Sequence, residues 1–264
     1  MTEEMHPMKH RLLWLLLILV VISIGPLPLI RDGATLTHWL IFLLVIWAAA
    51  AYLLIPRIWK LYFRHHTVAA FQITQTADGH PGDPVNLAIE GREELLIRAM
   101  TSAGWYPATP ITFLSSVRIV KDTMLKRSDN NAPVSNLFLF GRKQDLAFEL
   151  PEGKSPRQRH HVRFWRSECS ESKKPLWYGA ATFDRSVGLS HTTGQVTHHI
   201  GPDVDAERDL IMKGLQEQGY VQDASYKGGF HRRLEGLNGG GDPWRTDGRL
   251  GCVVLSQSPS VTAT

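Results

Sequence analysis

Two long apolar runs open the chain, and a mixed polar–apolar pattern typical of a folded domain follows them. Leu12–Ile30 holds 19 residues without a formal charge, and Leu36–Ile55 holds 20 more. At about 1.5 Å per residue each helix would reach about 28–30 Å, close to the hydrocarbon thickness of a bilayer. Pro26 and Pro28 would kink or end the first helix near the far interface, where water can satisfy the freed carbonyls. Arg31–Thr35 is a polar turn of the right length for a helical hairpin. The pattern therefore predicts two transmembrane spans, 12–30 and 36–55, with Trp39 and Trp59 as interfacial anchors. Arg57–His66 (RIWKLYFRHH) then reads as a basic, aromatic juxtamembrane helix. The anchor occupies residues 1–66.

Beyond it the periodicity alternates between strand and helix. Thr67–Thr76 is rich in β-favouring residues, and Ala77–Pro84 reads as a turn on its Gly and Pro content. Glu93–Ala103 is an amphipathic helix with Leu95, Leu96, Ala99 and Met100 on one stripe, ending at Gly104. A similar phrase returns at Asp209–Val221 around Gly219, which suggests two related helix–Gly–strand units in one domain. Between them, Asn136–Phe140, Asp145–Leu150, His160–Arg166, Leu176–Asp184 and Gln195–Ile200 read as short strands. Arg249–Ser256 reads as a closing strand, and Asn238–Asp247 as a glycine-rich loop without a P-loop ending. The expected fold class is α+β: an antiparallel or mixed sheet flanked by helices over residues 67–258, then a disordered tail at 259–264.

Charge decides the orientation. From Pro56 onward lie 26 of the 29 Lys/Arg and 22 of the 25 Asp/Glu, and the net charge of +4 belongs to that part. Lys9 and Arg11 precede the first span, Arg57, Lys60 and Arg64 follow the second, and the connecting turn carries only Arg31. The positive-inside rule puts both termini in the cytoplasm. The rival reading, a signal peptide cleaved near Ser23-Ile24-Gly25, is opposed by Pro26 just after that site. It would still leave the large domain in the cytoplasm. Cys169 and Cys252 fit a reducing compartment and have no CxxC company. The composition excludes a polytopic transporter, a disulfide-stapled secreted domain and a disordered chain. No nucleic-acid-binding motif accompanies the basic residues.

Histidine supplies the candidate chemistry. Five of the twelve lie between 160 and 199: His160, His161, His191, His198 and His199. Strand alternation puts His160 on one face with Val162 and Phe164, and His161 on the other with Arg159 and Arg163. The same rule puts His198 with Val196 and Ile200, and His199 with Gln195 and Thr197. Asp184 lies with Tyr178 and Thr182. If the polar faces coincide, His161, Asp184, His191 and His199 could gather beside Arg159 and Arg163. Such a cluster suits a divalent metal, or a phosphate-bearing ligand held by Arg159 and Arg163. The bland alternative makes His160 and His198 core residues bonded to backbone or carboxylate. In the same vein, Asp203, Asp205, Glu207 and Asp209 would cap a helix, and Lys154–Lys174 would form a solvated or membrane-facing strand edge.

Several phrases resemble one family. Phe140–Glu149 (FGRKQDLAFE), Ser155–Trp165 (SPRQRHHVRFW), Leu176–Asp184 (LWYGAATFD), Val187–Gln195 (VGLSHTTGQ), Thr197–Ile200 and Pro202–Asp209 (PDVDAERD) are similar to the LssY C-terminal domain family. The resemblance runs from about Glu93 to Leu255. It implies a bacterial membrane protein named after a component of a putative type I secretion locus; in some relatives the domain follows DedA-like or phosphatidic-acid-phosphatase-like membrane domains. It brings no established reaction and no catalytic residue. The expected function is a membrane-tethered cytoplasmic accessory or binding module of the bacterial inner membrane, envelope- or secretion-associated. Its expected partner is a membrane protein or a phosphate-bearing envelope molecule. The alternative is a metal-dependent, phosphoesterase-like hydrolase using His161, Asp184, His191 and His199.

Overall fold

The computed structural model describes residues 35–66, 71–108, 136–153, 158–168 and 174–256. The expected first span at 12–30, Cys169 and the tail at 259–264 lie outside the described residues. Of the expected hairpin, only the second helix is therefore described. It is long: α1 (Leu36–Ala49) runs through a π-helical turn (Ala50–Leu54) into α2 (Ile55–His66). Its stretch Leu36–Leu61 is the one described helix long and apolar enough to cross a membrane. Leu40, Ile41, Leu43, Leu44 and Val45 stand exposed along it, as a lipid-facing helix requires.

Pro56 accounts for the π turn. Proline offers no N–H, so the carbonyls one turn before it lose a partner. Here Ile55 donates to Ala50 O, five residues back. The Ala51 carbonyl then falls between a used donor and the proline.

The domain is built on a mixed eight-stranded sheet, described here in spatial order. It runs β11 (Val221–Lys227), β14 (Leu250–Leu255), β3 (Leu87–Glu90), β9 (Leu176–Leu189), β8 (Arg159–Arg166), β7 (Leu146–Pro151) and β4 (Tyr106–Pro107), with β10 (Val196–Ile200) also paired to β9. Only β14 and β3 run parallel. One face is covered by α3 (Glu93–Ser102) and α4 (Val204–Glu217). Leu95, Leu96, Ala99 and Met100 of α3, with Ile211 and Leu215 of α4, close over Leu87, Ile89, Phe148, Val162, Phe164, Trp177 and Ala181. Burial of this area is the main stabilising term.

The two helix–Gly–strand units are real and share one cap. Gly104 and Gly219 both adopt positive φ, +87° and +71°, the left-handed region where glycine costs least. The next aromatic residue then donates back to the helix: Trp105 to Met100 O at 3.0 Å and Tyr220 to Leu215 O at 3.1 Å. The strands that follow, β4 and β11, lie at opposite edges of the large sheet.

A four-stranded sheet covers part of the other face, in the order β2 (Pro81–Pro84), β1 (Ile73–Gln75), β5 (Phe138–Leu139) and β6 (Arg142–Lys143). Here the expectation for Ala77–Pro84 fails, since its second half is a strand rather than a turn. Both prolines are tolerated because β2 is an edge strand. Val85, Leu137 and Leu139 pack with Ala88, Trp165, Ala180 and Phe230 into a second core. The glycine-rich Asn238–Asp247 also contains a strand, β13 (Pro243–Arg245), paired to β12 (Glu235–Leu237).

Candidate functional site

Strand alternation divides the residues of β8 between the two faces of the large sheet. Val162 and Phe164 enter the helical core, while Arg159, His161 and Arg163 point the other way and are buried nonetheless. The Lys154–Lys174 segment is thus not an exposed edge in its described part, because β8 lies between β7 and β9. Register supplies the partners: Glu149 of β7 and Thr182 of β9 stand opposite His161, and Asp184 of β9 stands opposite Arg159.

The result is a buried ion-pair chain. Arg159 bridges Glu149 (Nη1–Oε2 2.7 Å) and Asp184 (Nε–Oδ2 3.0 Å). His161 holds Nδ1 at 3.2 Å from Asp184 Oδ1 and shares a hydrogen bond between Nε2 and Thr182 Oγ1 at 2.8 Å. Arg163 donates to Asp83 Oδ2 at 2.9 Å, and that oxygen lies 3.6 Å from His161 Nε2. Two arginines and a histidine face three carboxylates across two sheets. Burial, and to a lesser degree Arg163, works against charge on His161, but Asp184 and Asp83 together raise the imidazole pKa. Burial likewise favours neutral Asp184, yet His161, His198 and Arg159 hold its carboxyl well below the usual carboxylate range. Burial pushes the Arg163 guanidinium pKa down, and Asp83 works against that shift.

Asp83 lies in the sequence pattern of a turn by its Pro and Gly neighbours, and Glu149 in that of a strand, with no role indicated for either. The signal that could have found Glu149 is the presence of a carboxylate between Phe148 and Leu150 in a buried strand.

The histidines of β10 exchange places relative to expectation. In β9 the extra residue Arg185 stands between the partners of His199 and Ile200, so the face of β10 that carries His198 and Ile200 is the one that continues the Asp184 side. His198, not His199, faces Asp184 and the two arginines. Burial depresses its pKa to about 4; Asp184 opposes this, while Arg159, His161 and Arg163 add to it. His199 turns away and bonds Asp242 (Nδ1–Oδ1 2.7 Å). Exposed His191 has its ring centroid 5.7 Å from that of His199, beside the glycine-rich loop. Of the four candidate ligands, then, His161 and Asp184 come together, and His191 and His199 stand with Asp242 instead. Among the described residues no three His, Cys, Asp or Glu side chains are disposed to share a metal ion. His160 lies in the helical core bonded to Glu207 (2.7 Å), as the bland reading expects. Asp203 caps α4 by accepting from Ala206 N, while Asp205 and Asp209 bind buried Arg208.

Arg159, His161, Arg163, Asp184 and His198 line a cavity of about 530 Å³. Its opposite wall is the long helix, through Tyr52, Leu53, Pro56, Arg57 and Lys60. The β9–β10 hairpin tip fastens that wall. Gln195 Nε2 donates to the orphaned Ala51 carbonyl at 2.9 Å, Val196 N donates to Tyr52 Oη at 3.1 Å, and Trp59 Nε1 donates to Thr192 O at 3.3 Å. Gly194, at φ +70°, lies against Trp47 and Ala51. Trp59 also packs edge-on to His80, ring centroids 4.6 Å apart. Asn238, Gly239 and Gly240 close one side, and Gly239 sits where a Cβ would lie 3.0 Å from both His80 and Thr76.

A family model described as LssY C-terminus matches residues 65–250, well over half of the chain. No curated protein and no solved structure matches it.

Proposed function

The chain belongs to the LssY C-terminus family, and from that premise we propose a membrane-tethered accessory or binding module whose cavity holds a phosphate-bearing molecule. In this reading the helix that begins at Leu36 anchors the chain in the bacterial inner membrane. The domain spanning 67–258 lies on the cytoplasmic side, where it would serve envelope or secretion work. One observation carries the reading: a single cavity has a membrane-helix wall bearing Arg57 and Lys60 and a domain floor bearing Arg159 and Arg163. The floor arginines are held by Glu149, Asp184 and Asp83, so their forked donors keep a fixed direction. Fixed guanidinium groups suit phosphate oxygens. The floor is close to charge-balanced, and the excess positive charge comes from the helix. A ligand would therefore need both parts of the protein, which gives the tether a purpose beyond attachment.

The test uses the full chain in detergent micelles with glycerol 3-phosphate as probe. At saturating probe the melting temperature should rise by about 5 °C, and the rise should vanish in Arg57→Ala/Lys60→Ala. No rise at millimolar probe would overturn the phosphate reading. Orientation has a separate test, since a reporter fused after Thr264 that is active only in the periplasm would overturn the cytoplasmic placement.

A further inference from the structure

A phosphate-bearing ligand could reach the cavity from water or from the bilayer, and the depth of the walls discriminates between them. The apolar stretch Leu36–Ile55 has the length of the hydrocarbon layer, so it ends about where headgroups begin. The helical wall of the cavity runs from Tyr52 to Lys60. It thus starts in the last apolar turn and extends about 8 Å beyond Ile55, into the headgroup layer.

The hairpin tip sits at the same level, since its bonds reach Ala51 and Tyr52 and its Gly194 touches Trp47. Leu189 and Val196, paired across that hairpin, each expose 54% of their surface. Tyr52 and Leu53 are exposed beside them on the helix. Four apolar or amphipathic side chains in one place are costly in water and well placed at the boundary of acyl chains and headgroups. The rim is therefore apolar on the bilayer side, and Arg57 and Lys60 add positive charge above a floor that is close to charge-balanced.

Resting on the phosphate reading above, we infer that the ligand is an anionic membrane phospholipid entering sideways from the leaflet. Its headgroup phosphate would lie between Arg57 and Lys60 on one side and the Arg159–Arg163 floor on the other. Its acyl chains would stay in the bilayer against Leu53, Leu189 and Val196. A cavity of about 530 Å³ holds a headgroup with bridging water and leaves two acyl chains outside. A soluble phosphate ester would meet the same interior but would leave the apolar rim unused.

The test is native mass spectrometry of the full chain released from nanodiscs of equimolar phosphatidic acid and phosphatidylcholine with identical acyl chains. One retained lipid is expected, with phosphatidic acid favoured about tenfold. Arg57→Ala/Lys60→Ala should bring that preference below about threefold. Basic residues at a helix end also attract anionic lipid without any cavity, so a second variant separates the two. Thr197→Trp fills the cavity from the domain side and leaves the helix charges in place. It should abolish the retained lipid with an unchanged melting temperature. Retention of phosphatidic acid unaltered in Thr197→Trp would overturn the inference. If the wild-type chain shows no lipid preference while glycerol 3-phosphate still raises its melting temperature, the lipid inference falls and the phosphate reading stands. If neither probe binds, both fall.

Discussion

The two faces of the large sheet are made by alternate residues of the same strands, yet they are held together by different physics. In β8, Val162 and Phe164 enter the helical core while Arg159, His161 and Arg163 form the cavity floor; in β9, Trp177 and Ala181 do the first, Thr182 and Asp184 the second. The helical face gains its stability from apolar area, at about 25 cal/mol per Å² removed from water. The floor removes two arginines, three carboxylates and a histidine from water, and pairing returns roughly what desolvation costs. The charged floor, unlike the second apolar core beside it on the same face, contributes little net stability, and because it opens onto a cavity it is better explained by what it can hold. The comparison teaches that residues of equal burial can serve unlike purposes, and that alternation assigns them to each.

Mutations of matched size should separate the faces. Phe164→Ala empties a fully buried site and should cost about 3–5 kcal/mol in chemical denaturation. Asp184→Asn should cost about 3 kcal/mol as well, because it leaves Arg159 and His161 facing each other without their carboxylate. The decisive variant replaces the whole pairing unit. Glu149→Leu/Arg159→Met/Asp184→Leu should stay within about 2 kcal/mol of the wild type while losing stabilisation by glycerol 3-phosphate. A triple variant as unstable as Phe164→Ala would erase the distinction between the faces.

The pH dependence should belong mainly to the cavity face. His198 titrates near 4 in the folded chain and near 6.5 when unfolded, so the unfolded state binds more protons between those values. Stability should therefore rise as the pH climbs from about 4 to 6.5, with the His198 contribution complete above 6.5. His161 works in the other sense: its raised pKa contributes stability fully below 6.5 and loses it as the pH passes upward through its folded value. Asp184 acts only at the acid end, where its stabilisation fades as the pH falls below 3.8. Urea melts between pH 4 and 8 should show a maximum near 6.5. His198→Gln should flatten the acid limb without removing it, since buried His80 and His231 are also lowered. An acid limb identical to the wild type would mean that His198 is not held neutral by the cavity.

The apolar face was legible because its signal is periodic and local. Leu95, Leu96, Ala99 and Met100 announce α3, and the repeated Gly-aromatic phrase announces two helices with one cap. Four of the six floor groups were legible for the same reason: alternation alone puts Arg159, His161 and Arg163 together, with Asp184 across the strand pair. The rest depends on pairings between distant segments. Asp83 sits between Gly and Pro, and it becomes a partner only once β2 joins a second sheet over β8. His198 and His199 trade places at a register shift that no count of positions reveals. The helix wall was least legible of all. Nothing in Leu36–Ile55 read as an apolar span indicates that Ala51, Tyr52 and Leu53 also bound a cavity.

That wall gives the smallest of the expected effects and the most local one. The Ala51 carbonyl is left without a helical donor by the π turn and Pro56, and Gln195 supplies one from the domain. Gln195→Ala removes a single hydrogen bond, worth about 0.5–1.5 kcal/mol, and on the helical face such a change would scarcely register against the area buried there. At the junction the same loss falls on one of only three hydrogen bonds described between the hairpin tip and the helix. Global melting should shift by a degree or two, whereas spin labels at Lys60 and Thr197 should report a broader distance distribution across the cavity. Val196→Pro, which removes the N–H bonded to Tyr52, should broaden it further. An unchanged distribution in both would mean that the contacts of Trp47 and Trp59, the Trp59–Thr192 hydrogen bond included, fix the helix by themselves, and the bonds of Gln195 and Val196 would then owe their place to the proline rather than to the cavity.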